Sequence, residues 1–199
     1  MIIVNPECDF IVRNIKAVKA LIESYSLVEK RVHGWLIAQL KRKIEQRIDE
    51  LPAPQNNWRV DEGDEEITLT KIECYSDNHE YGVYYGIENI LLENLAAEFP
   101  EDGAWIYLCY NRPAPAPYGM ANAIRGWEQR LIDLTNNNRK VLANNYRVQP
   151  DDTYLVTRYL HGILDAETIA ENPEETINNT VATMIDFVRD TFQILVQIP

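Results

Sequence analysis

The spacing of apolar residues changes period along this 199-residue chain, and that change limits the folds open to it. Near both ends, apolar side chains recur every three to four positions, as in Ile11, Ile15, Val18 and Ile22, which is typical of helices with one buried face. In the middle they recur every second position, as in residues 67–72, which is typical of half-buried strands. Helices, then strands, then mixed elements and a final helix predict the α+β class.

Two helical segments are predicted before Pro52. Asn5-Pro6-Glu7 has the N-cap, first-turn proline and early acid of a helix start, and Ser26-Leu27-Val28-Glu29 fits a capping box. The segments fit either one bent helix or a helical pair, and the capping box favours the pair. Because both segments carry long apolar stripes, self-association into a homo-oligomer through these helices is a further expectation.

An antiparallel or mixed sheet of about five strands is predicted behind these helices, with a C-terminal helix packed on it. The strand candidates lie near residues 58–60, 67–72, 81–85, 104–109 and 154–160. One helix is expected from Met120 to the break at Asn136-Asn137-Asn138, and the last begins with Asn172 as cap and Pro173 in the first turn. We expect a single domain over residues 1–199, made of an N-terminal helical segment (6–50) and a sheet-containing body (57–199).

Charge and cysteine usage exclude several classes of protein. The formal charge is −12, so direct nucleic-acid binding is not expected, because phosphate neutralisation needs surplus Lys and Arg. Cys8, Cys74 and Cys109 are dispersed and odd in number, which favours reduced, buried thiols over a disulfide framework or a zinc site. Without a membrane-length apolar run or a glycine-rich phosphate loop, we expect a soluble, cytoplasmic protein with no membrane association and no cofactor.

The middle of the chain is both acidic and rich in tyrosine. Between Leu51 and Tyr110 the sequence has 13 acidic residues against two basic ones. The simplest explanation is a set of solvated loop and strand faces. The alternative is an electronegative surface that attracts a basic protein partner. Under that alternative, the predicted partner-binding residues are Glu65, Glu66, Glu73, Tyr81 and Tyr85, with Tyr84 on the opposite face of its strand.

The leading functional hypothesis is therefore a non-catalytic, acidic interaction or regulatory protein that binds a protein partner. An acidic mimic of nucleic acid that inhibits a DNA-binding protein is one alternative. A divergent metal-dependent hydrolase or nuclease is another, and its candidate catalytic residues are Glu66, Lys71, Glu73 and Asp77. Leu69 stands where the acid–x–lysine signature of restriction-type nucleases requires an acid.

A cation site is the remaining chemical hypothesis. Asp77, His79 and Glu80 place oxygen and imidazole ligands close together in the sequence. A tight turn between two strands explains the same residues without a metal. Cys109 lies in an apolar strand, which predicts a buried, inert thiol.

Overall fold

The computed structural model of the chain describes residues 13–52, 58–75, 82–110, 120–149 and 153–195. The helices are α1 (Ile15–Gln46), α2 (Leu92–Leu95), α3 (Met120–Leu142), α4 (Ala166–Glu171) and α5 (Pro173–Leu195), and 3₁₀ turns occupy Ile48–Glu50 and Pro100–Asp102. The strands are β1 (Trp58–Glu62), β2 (Ile67–Tyr75), β3 (Gly82–Glu88), β4 (Trp105–Tyr110), β5 (Arg147–Val148) and β6 (Tyr154–Tyr159). These elements confirm the α+β class and the five predicted strands, and β5 is an addition.

The six strands of the described residues form one antiparallel sheet in the order β1-β2-β3-β4-β6-β5. The register aligns Leu69, Tyr85, Leu108 and Val156 across four neighbouring strands. Residues directly opposite in an antiparallel pair point to the same face, so this row defines one face of the sheet. We call it the covered face, because the helices pack against it.

Buried side chains of α1, α3 and α5 join the covered face in one hydrophobic core. Leu36, Leu40 and Ile44 enter it from α1, and Phe187 and Val188 enter it from α5. Each large apolar side chain that is fully buried contributes about 1.5–3 kcal/mol to folding. The strong 3.6-residue pattern of α5 therefore fixes the C-terminal helix on the sheet, as predicted.

The start of α5 also agrees with its predicted cap. Asn172 Oδ1 accepts a hydrogen bond from the backbone nitrogen of Glu175 at 3.3 Å, and Asn172 Nδ2 donates to the Glu175 carboxylate at 2.8 Å. The first contact satisfies a backbone donor that the first turn of a helix leaves without a partner, and the second joins the two side chains. Proline follows at the first helical position, where its missing N–H costs nothing.

The capping box at Ser26 does not start a helix, because α1 continues through it from Ile15 to Gln46. Inside a continuous helix the backbone donors already have partners four residues earlier, so a serine cap offers no advantage there. The other predicted start, at Asn5, lies outside the described residues. Among the described helices, none combines the length and the apolar content that crossing a membrane requires.

The predicted stop at Asn136-Asn137-Asn138 is also wrong, since α3 runs on to Leu142. Asn138 lies inside this helix, and its Nδ2 donates to the carbonyl of Leu134 at 2.8 Å, so the side chain bonds to the turn it was expected to break. Leu142 is buried in the core. Each disfavoured residue costs up to about 0.7 kcal/mol in a helix, so the three asparagines cost up to about 2 kcal/mol, which the burial of one leucine, at about 1.5–3 kcal/mol, can offset.

Candidate functional site

The face of the sheet opposite the covered face carries a cluster of aromatic side chains. Because successive residues of a strand point to opposite faces, Tyr84 of β3 and Trp105 and Tyr107 of β4 lie here, together with Tyr154 of β6. We call this surface the tyrosine face. Tyr107 is almost fully buried, whereas the other three rings remain partly exposed.

Trp105, Tyr107 and Tyr154 contact one another and form what we call the aromatic triad. Their ring centroids are 5.5 Å (Trp105–Tyr107), 4.6 Å (Trp105–Tyr154) and 5.1 Å (Tyr107–Tyr154) apart. Tyr84 adds an edge-on contact to Tyr107 at 5.9 Å. Tilted and edge-on pairs at these distances each stabilise by about 0.5–1.5 kcal/mol beyond the area they bury. The triad is therefore a stiff platform.

Gly86 makes room for the centre of this platform. It lies opposite Tyr107 in the β3–β4 register, and the phenol ring extends across it. A Cβ atom at position 86 would lie 2.3 Å from both Cζ and Oη of Tyr107, closer than any normal contact. Glycine is consequently required by the close approach of the ring, as in other sheets where an aromatic side chain covers a glycine.

Two carboxylates accept hydrogen bonds from the hydroxyl groups of the triad. Tyr107 Oη donates to Glu66 Oε2 at 2.7 Å, and Tyr154 Oη donates to Glu88 Oε2 at 3.1 Å. Burial first, and then the hydrogen bond to Glu66, raises the pKa of Tyr107 well above the ordinary tyrosine value. Burial, together with the charge of Glu88, raises the pKa of Tyr154 in the same way. Both phenols thus stay protonated at neutral pH and act as donors.

The carboxyl group of Glu88 is itself perturbed. Burial is the largest cause that raises its pKa, and the negative charges of Glu66 and Glu65 raise it further. The hydrogen bond from Tyr154 acts in the opposite direction and is second in size to burial. A positive charge placed near Glu88 would favour the ionised form of this carboxyl.

A cavity of about 290 Å³ opens beside the triad, toward the β5 edge of the sheet. It is lined by Asn89, Glu101, Trp105, Arg147, Gln149, Tyr154, Thr157 and Tyr159. Arg147 Nη1 donates to Tyr159 Oη at 2.9 Å on one side of it. Asn89 adopts a left-handed backbone conformation at φ 61° on another side, which asparagine tolerates better than most residues. The cavity therefore combines aromatic walls with hydrogen-bond donors and acceptors.

The described residues were also compared with the geometry of a metal site. Among the described residues, no group of three or more His, Cys, Asp or Glu side chains is arranged to hold a metal ion. Cys109, on the same face, is a buried free thiol whose Sγ lies 3.6 Å from Tyr84 Oη, which confirms its predicted burial. A buried thiol among aromatic neighbours is a packing group rather than a nucleophile.

The structure separates the tyrosines and acids that the sequence grouped together. Glu66 accepts the hydrogen bond from Tyr107, and Glu65 is exposed next to it in the β1–β2 hairpin. Tyr85, by contrast, is fully buried on the covered face, where its ring contacts Phe187 at 6.0 Å. This corrects the assignment of Tyr85 to the partner-binding surface. Its predicted separation from Tyr84 is confirmed.

These contacts do not test the other candidate residues. Lys71 and Glu73 belong to β2, but their side chains lie outside the described part of the chain, as do Asp77, His79, Glu80 and Tyr81 altogether. The catalytic and cation-binding hypotheses for these residues, and the partner-binding role of Glu73 and Tyr81, stay predictions.

Sequence reasoning missed most of the platform. Glu88, Trp105 and Tyr154 were not among the predicted site residues, although all three lie on the tyrosine face. The usable signal was the alternation Trp105, Tyr107, Cys109 opposite a strand that contains Gly86. An aromatic ring facing a strand glycine indicates that the ring lies flat on the sheet.

Comparison with known proteins adds no further guide. No family model, no curated protein and no solved structure matches this chain.

Proposed function

We propose that this chain is a non-catalytic binding protein whose tyrosine face takes a basic segment of a protein partner. The observation that carries the proposal is the aromatic triad, with its two hydroxyl groups hydrogen-bonded to the carboxylates of Glu66 and Glu88. Ring faces and carboxylates attract the same kind of group, a Lys or Arg side chain. A cytoplasmic location goes with this proposal.

Cation binding by the platform has a defined physical basis. A cation over an aromatic face gains about 0.5–1 kcal/mol when exposed and about 2 kcal/mol when desolvated. The partly buried carboxyl of Glu88 lies next to the exposed part of the triad, so one guanidinium can contact a ring and a carboxylate together. Because the phenols already donate to the carboxylates, the site is arranged before a ligand arrives, which lowers the entropic cost of binding.

The dimensions of the cavity favour a peptide side chain over a larger ligand. Pockets for drug-sized molecules occupy about 300–1,000 Å³, and the present cavity of about 290 Å³ is at the lower limit. Its polar groups suit the backbone and the neighbouring side chains of a peptide. We expect a basic side chain at the end formed by Trp105 and Tyr154, where Tyr154 is hydrogen-bonded to Glu88, and a carbonyl or acidic group of the same segment near Arg147.

A titration with defined peptides tests this proposal. The probe is a short fluorescein-labelled peptide of alternating Arg and Leu, and the control probe replaces each Arg with Glu. We expect the basic probe to bind and the acidic one not to bind. Binding should weaken when ionic strength rises from about 0.01 M to about 0.15 M, since the Debye length shortens from about 30 Å to about 8 Å.

Variants locate the binding on the tyrosine face. Trp105→Ala is expected to weaken binding about 30-fold, the effect of losing a central aromatic contact of about 2 kcal/mol. Glu88→Gln should weaken it several-fold. Glu171→Gln removes one exposed acid at the end of α4 and should leave the affinity unchanged. Equal binding of both probes, or an unchanged affinity in Trp105→Ala, would reject the proposal.

A further inference from the structure

The N-terminal part of α1, residues 15–35, is named the arm. Each of its described side chains is at least partly exposed, and Leu21 is 71% exposed. From Leu36 onward the same helix enters the core, where Leu40 and Ile44 are buried. With a rise of about 1.5 Å per residue, the arm spans roughly 30 Å. It is therefore a long helical surface that the core leaves open.

Apolar side chains of the arm recur at a spacing of seven residues. Three rows result, which together form the apolar stripe: Ile15 and Ile22; Val18, Tyr25 and Val32; Leu21, Val28 and Trp35. A seven-residue repeat is the pattern of a coiled coil, in which two helices bury such rows against each other. Lys16, Glu23 and Lys30 lie on the opposite side of the helix, whereas Lys19 borders the stripe next to Ile15. The stripe thus fits another helix of the same kind.

We infer that the arm pairs with the arm of a second copy of this chain, running antiparallel about a two-fold axis at the middle of the arm. In this arrangement Ile22 lies opposite the partner's Tyr25, and Ile15 lies opposite the partner's Val32. A two-fold contact of this kind is self-complementary, so one stripe supplies both sides of the interface. The inference does not depend on the peptide-binding proposal for the tyrosine face.

The charge of Glu29 selects the direction of the pairing. Glu29 interrupts the apolar row that contains Ile15 and Ile22. In a parallel pair, it would face Glu29 of the partner subunit inside the interface, where like charges repel. In the antiparallel pair it lies opposite the partner's Val18, with the ammonium group of the partner's Lys19 beside it. A single polar residue in such a row commonly fixes register and orientation.

Lys19 is available for that contact. Within one chain it pairs with Glu23 at 4.0 Å, but both side chains are more than two-thirds exposed. An ion pair so open to water contributes little and is easily exchanged.

The stripe is large enough to form the apolar centre of a dimer interface. Ile15, Leu21, Ile22, Tyr25 and Val28 are each more than half exposed on the stripe. The largest apolar patch on a typical monomer is about 300–600 Å², and a specific interface covers about 800 Å² per partner. These five large side chains lie along roughly 30 Å of the helix and approach the upper end of the 300–600 Å² range for an apolar patch. The flanking polar residues supply the rim of the interface.

Sedimentation velocity of the full chain over a range of concentrations tests the inference, with Val28→Lys as the disrupting variant. Leu27→Lys is a matched control, because Leu27 and Val28 are neighbours and each is 54% exposed, but Leu27 lies off the stripe. We expect the wild type and Leu27→Lys to form dimers and Val28→Lys to be monomeric. Circular dichroism checks that the variants are folded, and Leu21→Lys serves as a second disrupting variant.

Exchanging the charges of Glu29 and Lys19 tests whether the two arms pair antiparallel. Glu29→Lys alone should weaken the dimer at least tenfold, because the positive charge introduced by this substitution would then meet the partner's Lys19. Adding Lys19→Glu should restore most of the lost affinity by reversing both members of the pair. A monomer at every concentration, an assembly larger than a dimer, equal effects of the Leu27 and Val28 variants, or no rescue by the double exchange would overturn the inference.

Discussion

The two faces of the sheet use tyrosine in opposite ways, and consecutive residues show the contrast. Tyr85 points to the covered face, where it is fully buried and its hydroxyl lies 3.2 Å from Thr191 Oγ1 of α5. Tyr84 points to the other face and joins the aromatic platform beside Tyr107. A phenol on the covered face serves the core, whereas the phenols of the triad orient carboxylates at the surface. Residue type alone therefore does not decide between stability and binding.

Substitution of these consecutive tyrosines gives the largest expected effect. Tyr85→Ala should lower the free energy of unfolding by about 3–5 kcal/mol, as expected when a large buried ring is removed. Tyr84→Ala removes a partly exposed ring and should cost roughly 1–2 kcal/mol. Urea denaturation measures both. If Tyr84→Ala proved the more destabilising, the division between the two faces would be incorrect.

Gly86→Ala tests the packing of the Tyr107 ring on the tyrosine face. The added methyl group overlaps the Tyr107 ring, so we expect a loss of about 1–3 kcal/mol in unfolding free energy. In a Tyr107→Ala background, the same change at position 86 should cost less than about 0.5 kcal/mol, because the overlapping atoms are absent. A double-mutant cycle by chemical denaturation measures the coupling. Equal costs in both backgrounds would show that the ring does not lie across Gly86.

Tyr107→Phe isolates the hydrogen bond to Glu66 and has a smaller expected effect. The ring and its contacts stay, but the 2.7 Å bond is lost. A hydrogen bond to a charged group contributes about 1.5–3 kcal/mol, and partial exposure of Glu66 reduces this to about 1 kcal/mol. Thermal denaturation compares the variant with the wild type. A Tyr107→Phe variant as stable as the wild type would mean that the bond to Glu66 contributes nothing to the platform.

The smallest effect is a pH dependence that comes from Glu88. Burial, with the charges of Glu66 and Glu65, raises the pKa of this carboxyl in the folded chain. Its contribution to stability is thus fully present below the unfolded-state pKa and is lost as the pH rises through the raised folded-state value. Glu88→Gln cannot ionise, so its Tm relative to the wild type should increase between about pH 4 and about pH 7. A difference that stays constant over this window would contradict the assignment.

The covered face was more predictable from the sequence than the tyrosine face. Period-two alternation located β1 to β4 and β6, and the cap at Asn172 located the start of α5, because both signals are local. Alternation also placed Tyr84 and Tyr85 on opposite faces. It did not show which face the helices cover, and Tyr85 was consequently assigned to the surface when it belongs to the core.

The platform itself depends on long-range pairing. Tyr154 contacts Trp105 only because β6 inserts beside β4, and no local pattern specifies that order of strands. The bond from Tyr107 to Glu66 joins residues 41 positions apart for the same reason. Strand β5 has only two residues, so its sequence shows no periodicity. Helix α3 continues beyond the asparagines that predicted its end because Leu142 packs in the core.

The central claim is that ligand binding belongs to one face of the sheet and packing to the other, and two indole N–H groups report on it directly. Trp105 lies in the triad, whereas Trp58 is buried in the core and its Nε1 donates to the carbonyl of Pro52 at 3.2 Å. In a ¹H–¹⁵N correlation spectrum with both indole signals assigned by Trp→Phe variants, addition of the Arg-Leu peptide should shift the Trp105 signal and leave that of Trp58 in place. A shift of Trp58 without one of Trp105 would contradict the claim.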